Sequence, residues 1–218
     1  MARFGYPVLL ELAGRRCVVV GERAVAAGKV AGLLEGGADD VLVLAEGPGA
    51  RLDALAPDPR VRTERRRWQP GDLDGAFLLV GWAAERAERD RLAAEARARG
   101  VLTNVIDDAP SCEFAAPALV RRGGLVVAIG TGGACPALAG KLREELERRF
   151  GAHWAVLVGV LGEIRAAVAP LVPDLAERSR RWSRALDLAE ADRLVGEGRA
   201  EELRVALTAR LLDGAAGP

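Results

Sequence analysis

The chain has 218 residues, half of them hydrophobic and 28% charged, enough to bury a core in one medium domain with an appendage or in two small domains. Its 31 basic and 31 acidic side chains cancel, which argues against a non-specific binder of nucleic acid or anionic membrane. Cys17, Cys112 and Cys135 are odd in number and widely spaced, with no C-x-x-C pair; they fit a reducing cytosol and neither a disulfide framework nor a zinc site. Met1-Ala-Arg-Phe-Gly5 carries no apolar stretch of the signal-peptide kind, and the longest apolar run, Trp154 to Gly162, is about half a membrane span. A cytoplasmic protein is expected, with no nucleic-acid partner, no membrane partner and no bound metal.

In chain order, Cys17-Val-Val-Val-Gly21 reads as a strand buried on both faces. Val25, Ala26, Val30, Leu33 and Leu34 then recur at helical spacing until Gly36-Gly37 stops the helix. Val41 to Ala45 is a second strand, so about 30 residues from Cys17 form a β-α-β unit whose right-handed crossover makes the strands parallel. Val61 to Trp68 is expected as an edge strand, since Arg65-Arg66-Arg67 would be solvated there. Phe77 to Gly81 is a fourth strand, Ala83 to Gly100 a helix, and Val101 to Ile106 a fifth strand ending on Asp107-Asp108. This is a doubly wound α/β domain, whose functional groups gather at the strand C-termini. Two strands around Arg121-Arg122-Gly123-Gly124 follow, then a helix from Pro136 to about Arg149, then helices from Trp154 to Asp213.

Three stretches carry candidate chemistry. The Gly21 turn matches the first and third positions of the G-x-G-x-x-G/A dinucleotide fingerprint, but Arg23 stands at the second. Arg23 either blocks close approach of a pyrophosphate or pairs with its oxygens, and a turn with no ligand is the third reading. In Asn104-Val-Ile-Asp107-Asp108-Ala-Pro110 the acids either perform chemistry at a strand end or cap a turn. Thr131-Gly132-Gly133 either offers amides to a carboxylate or simply leads into the next helix. His153, the single histidine, lies far from every strand end and receives no catalytic role.

Together these residues resemble a family. Phe4 to Gly21, Ala26-Ala-Gly-Lys29, Asn104-Val-Ile-Asp107, Cys112-Glu-Phe114, Pro117-Ala118, Ile129-Gly-Thr-Gly-Gly133 with Pro136-Ala-Leu-Ala139, and Lys141 to Glu147 are similar, in order and spacing, to the precorrin-2 dehydrogenase/sirohydrochlorin ferrochelatase family. That family supplies the dehydrogenase module of siroheme synthases. The resemblance covers roughly residues 4 to 150 and is looser beyond.

The resemblance implies a Rossmann-like dinucleotide-binding domain over residues 1–115, a dimerisation and substrate segment over 116–150, and a C-terminal helical domain over 151–218. It implies NAD-dependent oxidation of precorrin-2 to sirohydrochlorin, with ferrous iron insertion in some members, by a homodimer. Asp107 matches the family's acid/base. NAD would lie across Gly21, Arg23, Ala24 and Val25 and the strand ends at Glu46, Gly47, Gly81 and Trp82, Glu46 being the acid placed to reach the adenosine ribose and favour NAD over NADP. Asn104, Arg121, Lys141 and the Thr131, Gly132 and Gly133 amides are the candidate tetrapyrrole contacts. The chain departs from the family at Gly21-Glu22-Arg23, usually three glycines, and at Gly81-Trp82-Ala83, usually carrying Ala-Thr. Two other readings stay open: a sirohydrochlorin chelatase without the redox step, and a non-catalytic tetrapyrrole-binding protein.

Overall fold

A computed structural model describes residues 4–46 and 50–213, with the backbone alone of Arg23. The chain divides into two compact units, Met1–Ala116 and Pro117–Pro218.

In the first unit, β-branched and leucine-rich runs form five parallel strands: β1 (Arg16–Glu22), β2 (Asp40–Glu46), β3 (Val61–Glu64), β4 (Leu78–Gly81) and β5 (Leu102–Val105). Their order is β3-β2-β1-β4-β5, the doubly wound arrangement expected. Alternate residues serve opposite faces. Val19, Val41 and Val43 pack against Ala26, Ala27 and Val30 of α1 (Arg23–Glu35), where small side chains bring the helix close to the sheet. Val18, Val20, Leu42 and Leu44 meet Trp68, Leu73 and, from α3 (Arg86–Ala98), Leu92 and Ala96. Each fully buried leucine or valine contributes about 1.5–3 kcal/mol. A short α2 (Ala50–Asp53) precedes β3.

The register fixes where a site can form. Val20 lies opposite Gly81, Gly21 opposite Ala45, Glu22 opposite Glu46, and Gly81 opposite Val105. The C-terminal strand ends therefore share one rim, and the strand order reverses between β1 and β4. β3 is an edge strand, as expected, but it stops at Glu64. Arg65 to Arg67 lie beyond it, because Arg66 makes a bidentate pair with Asp72 (both 2.7 Å) and also bonds Glu64 (2.7 Å), turning the chain back toward the rim.

The second unit opens with the antiparallel pair β6 (Ala118–Arg122) and β7 (Leu125–Ile129), followed by α4 (Pro136–Arg149), α5 (Trp154–Val168), α6 (Leu175–Ala185), α7 (Leu188–Gly196) and α8 (Ala200–Leu212). Leu157, Val160, Ile164 and Val168 of α5 pack on Leu194 of α7 and on Leu203, Leu207 and Leu211 of α8, all at helical spacing. Asp174 and Asp187 cap α6 and α7, accepting from the amides of Glu177 and of Ala189 and Glu190. Among the described residues no single helix is long and apolar enough to cross a membrane.

Candidate active site

β1 continues through Glu22 and α1 begins at the next residue, so no loop separates strand from helix. Gly21 adopts φ +150°, and a Cβ there would lie 3.2 Å from both the Cβ and the carbonyl oxygen of Trp82. Trp82 is held at that distance by its own N–H, which donates to Val20 O at 2.9 Å. The positive φ and the close approach together favour glycine between these two strand ends. Glu22 gives α1 no side-chain cap, and no acidic side chain occupies the first turn. Ala24 is exposed and Val25 half-buried. The amides of that turn thus carry the positive end of the helix dipole at the rim. The side chain of Arg23, and Gly47, lie outside the described residues.

A cavity of about 290 Å³ opens beside this junction, bounded by Gly21, Leu44, Glu46, Trp68 and Trp82. Glu46, the last residue of β2, is exposed, and Arg67 reaches it with an Nε–Oε2 distance of 3.3 Å. Trp68 is buried, with the Arg91 guanidinium 4.0 Å above its ring. The Arg91 guanidinium, bonded to both Glu88 oxygens at 2.8 and 3.1 Å, holds the Glu88 carboxyl below the usual glutamate range at the cavity edge. Arg89 donates to the carbonyls of Ala83 (2.6 Å) and Ala84 (2.8 Å), pinning the loop that follows β4. Gly81 is buried; a Cβ there would overlap the Leu92 side chain, so glycine lets α3 close over β4.

The rim continues to β5. Ile106 N–H donates to Gly81 O at 2.8 Å, and Asp107 follows it with φ +60°, the one non-glycine residue at positive φ among the described residues. A short acid tolerates this left-handed conformation, which costs most L-residues about 1–2 kcal/mol. The two acids divide sharply. Asp107 is exposed, whereas Asp108 is buried and accepts from Ser111 Oγ (2.8 Å) and, through its carbonyl, Ser111 N (3.0 Å). Asp108 caps the turn and Asp107 is presented to solvent. Asn104 is half-buried, with Nδ2 donating to Phe114 O at 2.8 Å.

The other residues singled out from sequence belong to the second unit. Thr131 Oγ1 accepts from Cys135 N at 3.3 Å, and Gly132 and Gly133 are exposed. Lys141 is exposed on α4. Arg121 is half-buried, with an Nε that is buried and has no hydrogen-bond partner among the described residues. Arg122 points the other way from the strand and bonds Phe150 O (2.7 Å) and Glu147 O (3.1 Å), closing the end of α4. His153 precedes α5 and bonds Asp192 at 2.6 Å.

Sequence reasoning missed Arg67, Trp68, Glu88 and Arg89 as residues of the rim. Trp68 carried a signal, a lone aromatic ending a charged run, but Arg89 and Glu88 look like any solvent-facing helix residues until the loop they hold is seen.

A family model described as "Putative NAD(P)-binding" matches residues 8–118. The siroheme synthase of Methylococcus capsulatus is 33% identical over 196 residues, 90% of this chain and 41% of that protein. The siroheme synthase of Chromobacterium violaceum is 37% identical over 188 residues, 86% of this chain and 40% of that protein. The chain thus spans about two-fifths of the length of these relatives. Among solved structures, "SirC, precorrin-2 dehydrogenase" aligns with a TM-score of 0.61 at 22% identity, covering 97% of this chain and 98% of that one, and shares its fold. The family resemblance read from Asn104-Val-Ile-Asp107 and Thr131-Gly-Gly133 is borne out, and the chain belongs to this NAD(P)-binding family, with siroheme synthases among its relatives.

Proposed function

We propose that this chain oxidises precorrin-2 to sirohydrochlorin with NAD as hydride acceptor, as a cytoplasmic homodimer in siroheme formation. The observation that carries this reading is the exposed Asp107 carboxylate, held one residue beyond the backbone bond that joins Ile106 to Gly81, at the rim that also bears the Gly21–Trp82 contact and the cavity.

The rim fits a nicotinamide dinucleotide on three counts. The uncapped first turn of α1, with the amides of Ala24 and Val25, suits an anionic pyrophosphate. Gly21, with no Cβ against Trp82, keeps the floor open, and Gly81 leaves the neighbouring strand end flush. Glu46, the last residue of β2, is proposed as the acceptor for a ribose diol. Arg23 and Gly47 complete the proposed cofactor set.

When bound, the nicotinamide accepts a hydride. Asp107 takes the proton that the macrocycle loses as conjugation is restored; its exposure leaves the carboxylate free to reach a substrate atom and then return the proton to water. Arg121, Lys141 and the Thr131, Gly132 and Gly133 amides are proposed for the substrate carboxylates, and Asn104 is proposed as a substrate contact of the first unit. β6 and β7, a two-stranded sheet with open edges, are proposed for the pairing of copies. Ferrous iron would be a second substrate, approaching the same Asp107 oxygens.

Purified protein mixed with precorrin-2 and NAD is expected to produce NADH and the sirohydrochlorin absorbance in equal amounts, and Asp107→Asn to remove both. Metal insertion into sirohydrochlorin with no NADH formed would favour the chelatase reading; tetrapyrrole binding with neither product would favour the non-catalytic one.

A further inference from the structure

We propose that the Cys112 thiol is a positioning residue for the reaction, fixing the left-handed turn that presents Asp107. The inference rests on the role proposed above for Asp107.

β5 is an edge strand, and its outer side would otherwise leave backbone groups unpaired. The segment after the turn satisfies them with a mixture of backbone and side chain. Glu113 N donates to Thr103 O at 2.7 Å, and Glu113 Oε2 accepts from Thr103 N at 3.3 Å. One step nearer the rim the partner is sulfur. Val105 N donates to Cys112 Sγ at 3.2 Å, and the same sulfur stands 3.1 Å from Val105 O and 3.3 Å from Asp108 O, to either of which its single proton can be given. Asn104 Nδ2 lies 3.7 Å from it.

The thiol therefore touches the backbone on both sides of Asp107, at Val105 and at Asp108. Asp108 N also donates to Val105 O at 3.2 Å, closing the turn from inside. Cys112 is buried, so these bonds form away from competing water. Asp107 itself shows no such anchor among the described residues: its side chain is exposed and its backbone sits at φ +60°, a conformation that a short acid tolerates without being confined to it. Removing the thiol lets the turn relax and swings the carboxylate through an arc. A misplacement of about 1 Å is enough to slow a reaction on the order of a hundredfold.

The experiment compares wild type with Cys112→Ala, Cys112→Ser and Asp107→Asn, reading kcat and KM with precorrin-2 and NAD per folded molecule, together with amide hydrogen exchange. Cys112→Ala is expected to lower kcat about tenfold or more with the KM for NAD within about twofold, and to speed exchange at Val105 and Asp108 while β1 and β4 stay protected. Cys112→Ser, which keeps a donor and an acceptor, should recover most of the rate. A Cys112→Ala protein with wild-type kcat beside an inactive Asp107→Asn would overturn the positioning role alone. Wild-type turnover by Asp107→Asn would overturn the reading of Asp107, leaving the exchange result to report the thiol as a structural tie. Equal loss in the Ala and Ser variants, matched by a rise in the KM for NAD, would also reject the proposal, because it would mean general loosening of the rim.

Discussion

Arg67 Nε lies 3.3 Å from Glu46 Oε2, so the acid that ends β2 does not stand alone at the rim. Both side chains are largely exposed, at 86% and 58%, and a pair of this kind is worth at most about 1 kcal/mol. A ribose diol can displace Arg67 from Glu46 at little cost, and Arg67 can equally turn toward a 2′-phosphate. On the cofactor reading proposed above, a preference of Glu46 for NAD over NADP would accordingly be weaker than the acid alone would give. Arg67→Ala is expected to leave the KM for NAD within about twofold and to raise that for NADP about five- to tenfold. Glu46→Ala should do the reverse. Steady-state kinetics with both cofactors checks each variant.

Sheet and strand ends were legible because buried parallel strands write themselves as continuous apolar runs, Cys17 to Val20 and Leu78 to Val80 among them. Asp107 was singled out by family motif, and what was not legible was its separation from Asp108: adjacent identical side chains look alike until Ser111 is seen to hold one of them inside. Arg65 to Arg67 misled for a related reason. A charge run reads as solvated edge, and only the Asp72 partner six residues beyond Arg66 shows that the chain turns there and carries Arg67 to the rim of strand ends. Contacts of this sort depend on folding distant residues together, which periodicity cannot report.

Gly21 and Gly81 neighbour one another at the rim yet should fail differently. At Gly21 a methyl group meets the Trp82 backbone and must sit at φ +150°, so the strand end itself has to move. Gly21→Ala is expected to cost about 1–3 kcal/mol and to raise the KM for the cofactor as well. At Gly81 the obstacle is the tip of the Leu92 side chain, which can rotate. Gly81→Ala should cost about 1–3 kcal/mol through overpacking with a smaller effect on the cofactor. Urea unfolding and cofactor KM, measured on the same preparations, separate the two.

The thiols should differ in reactivity. Burial, with a lesser push from the Asp40 and Asp39 charges, raises the Cys17 thiol to about 11, and Cys112 is buried in the β5 turn. Cys135 is exposed just before α4. A thiolate is the reacting species, so titration of native protein with a disulfide reagent should show one fast thiol of the three. Cys135→Ser should abolish it, and unfolding should expose the remainder.

Asp192 ties α7 to the start of α5, with Oδ1 2.6 Å from His153 Nε2 and Oδ2 2.8 Å from Arg149 Nη1. The His153 hydrogen bond first, and the Arg149 guanidinium second, hold its carboxyl below the ordinary value of 3.8. A depressed folded pKa means that the unfolded chain binds the proton more readily, so the stabilisation is complete above 3.8 and is lost as pH falls through the lower folded value. Asp192→Asn should therefore be less stable than wild type by about 1 kcal/mol near neutrality. The gap should narrow as the solution is acidified below the ordinary aspartate value, because wild type then loses the charge that the variant already lacks. Urea unfolding of both proteins across that range measures it; a gap that stayed constant with pH would show that the amide disturbs packing and that the carboxylate charge contributes nothing.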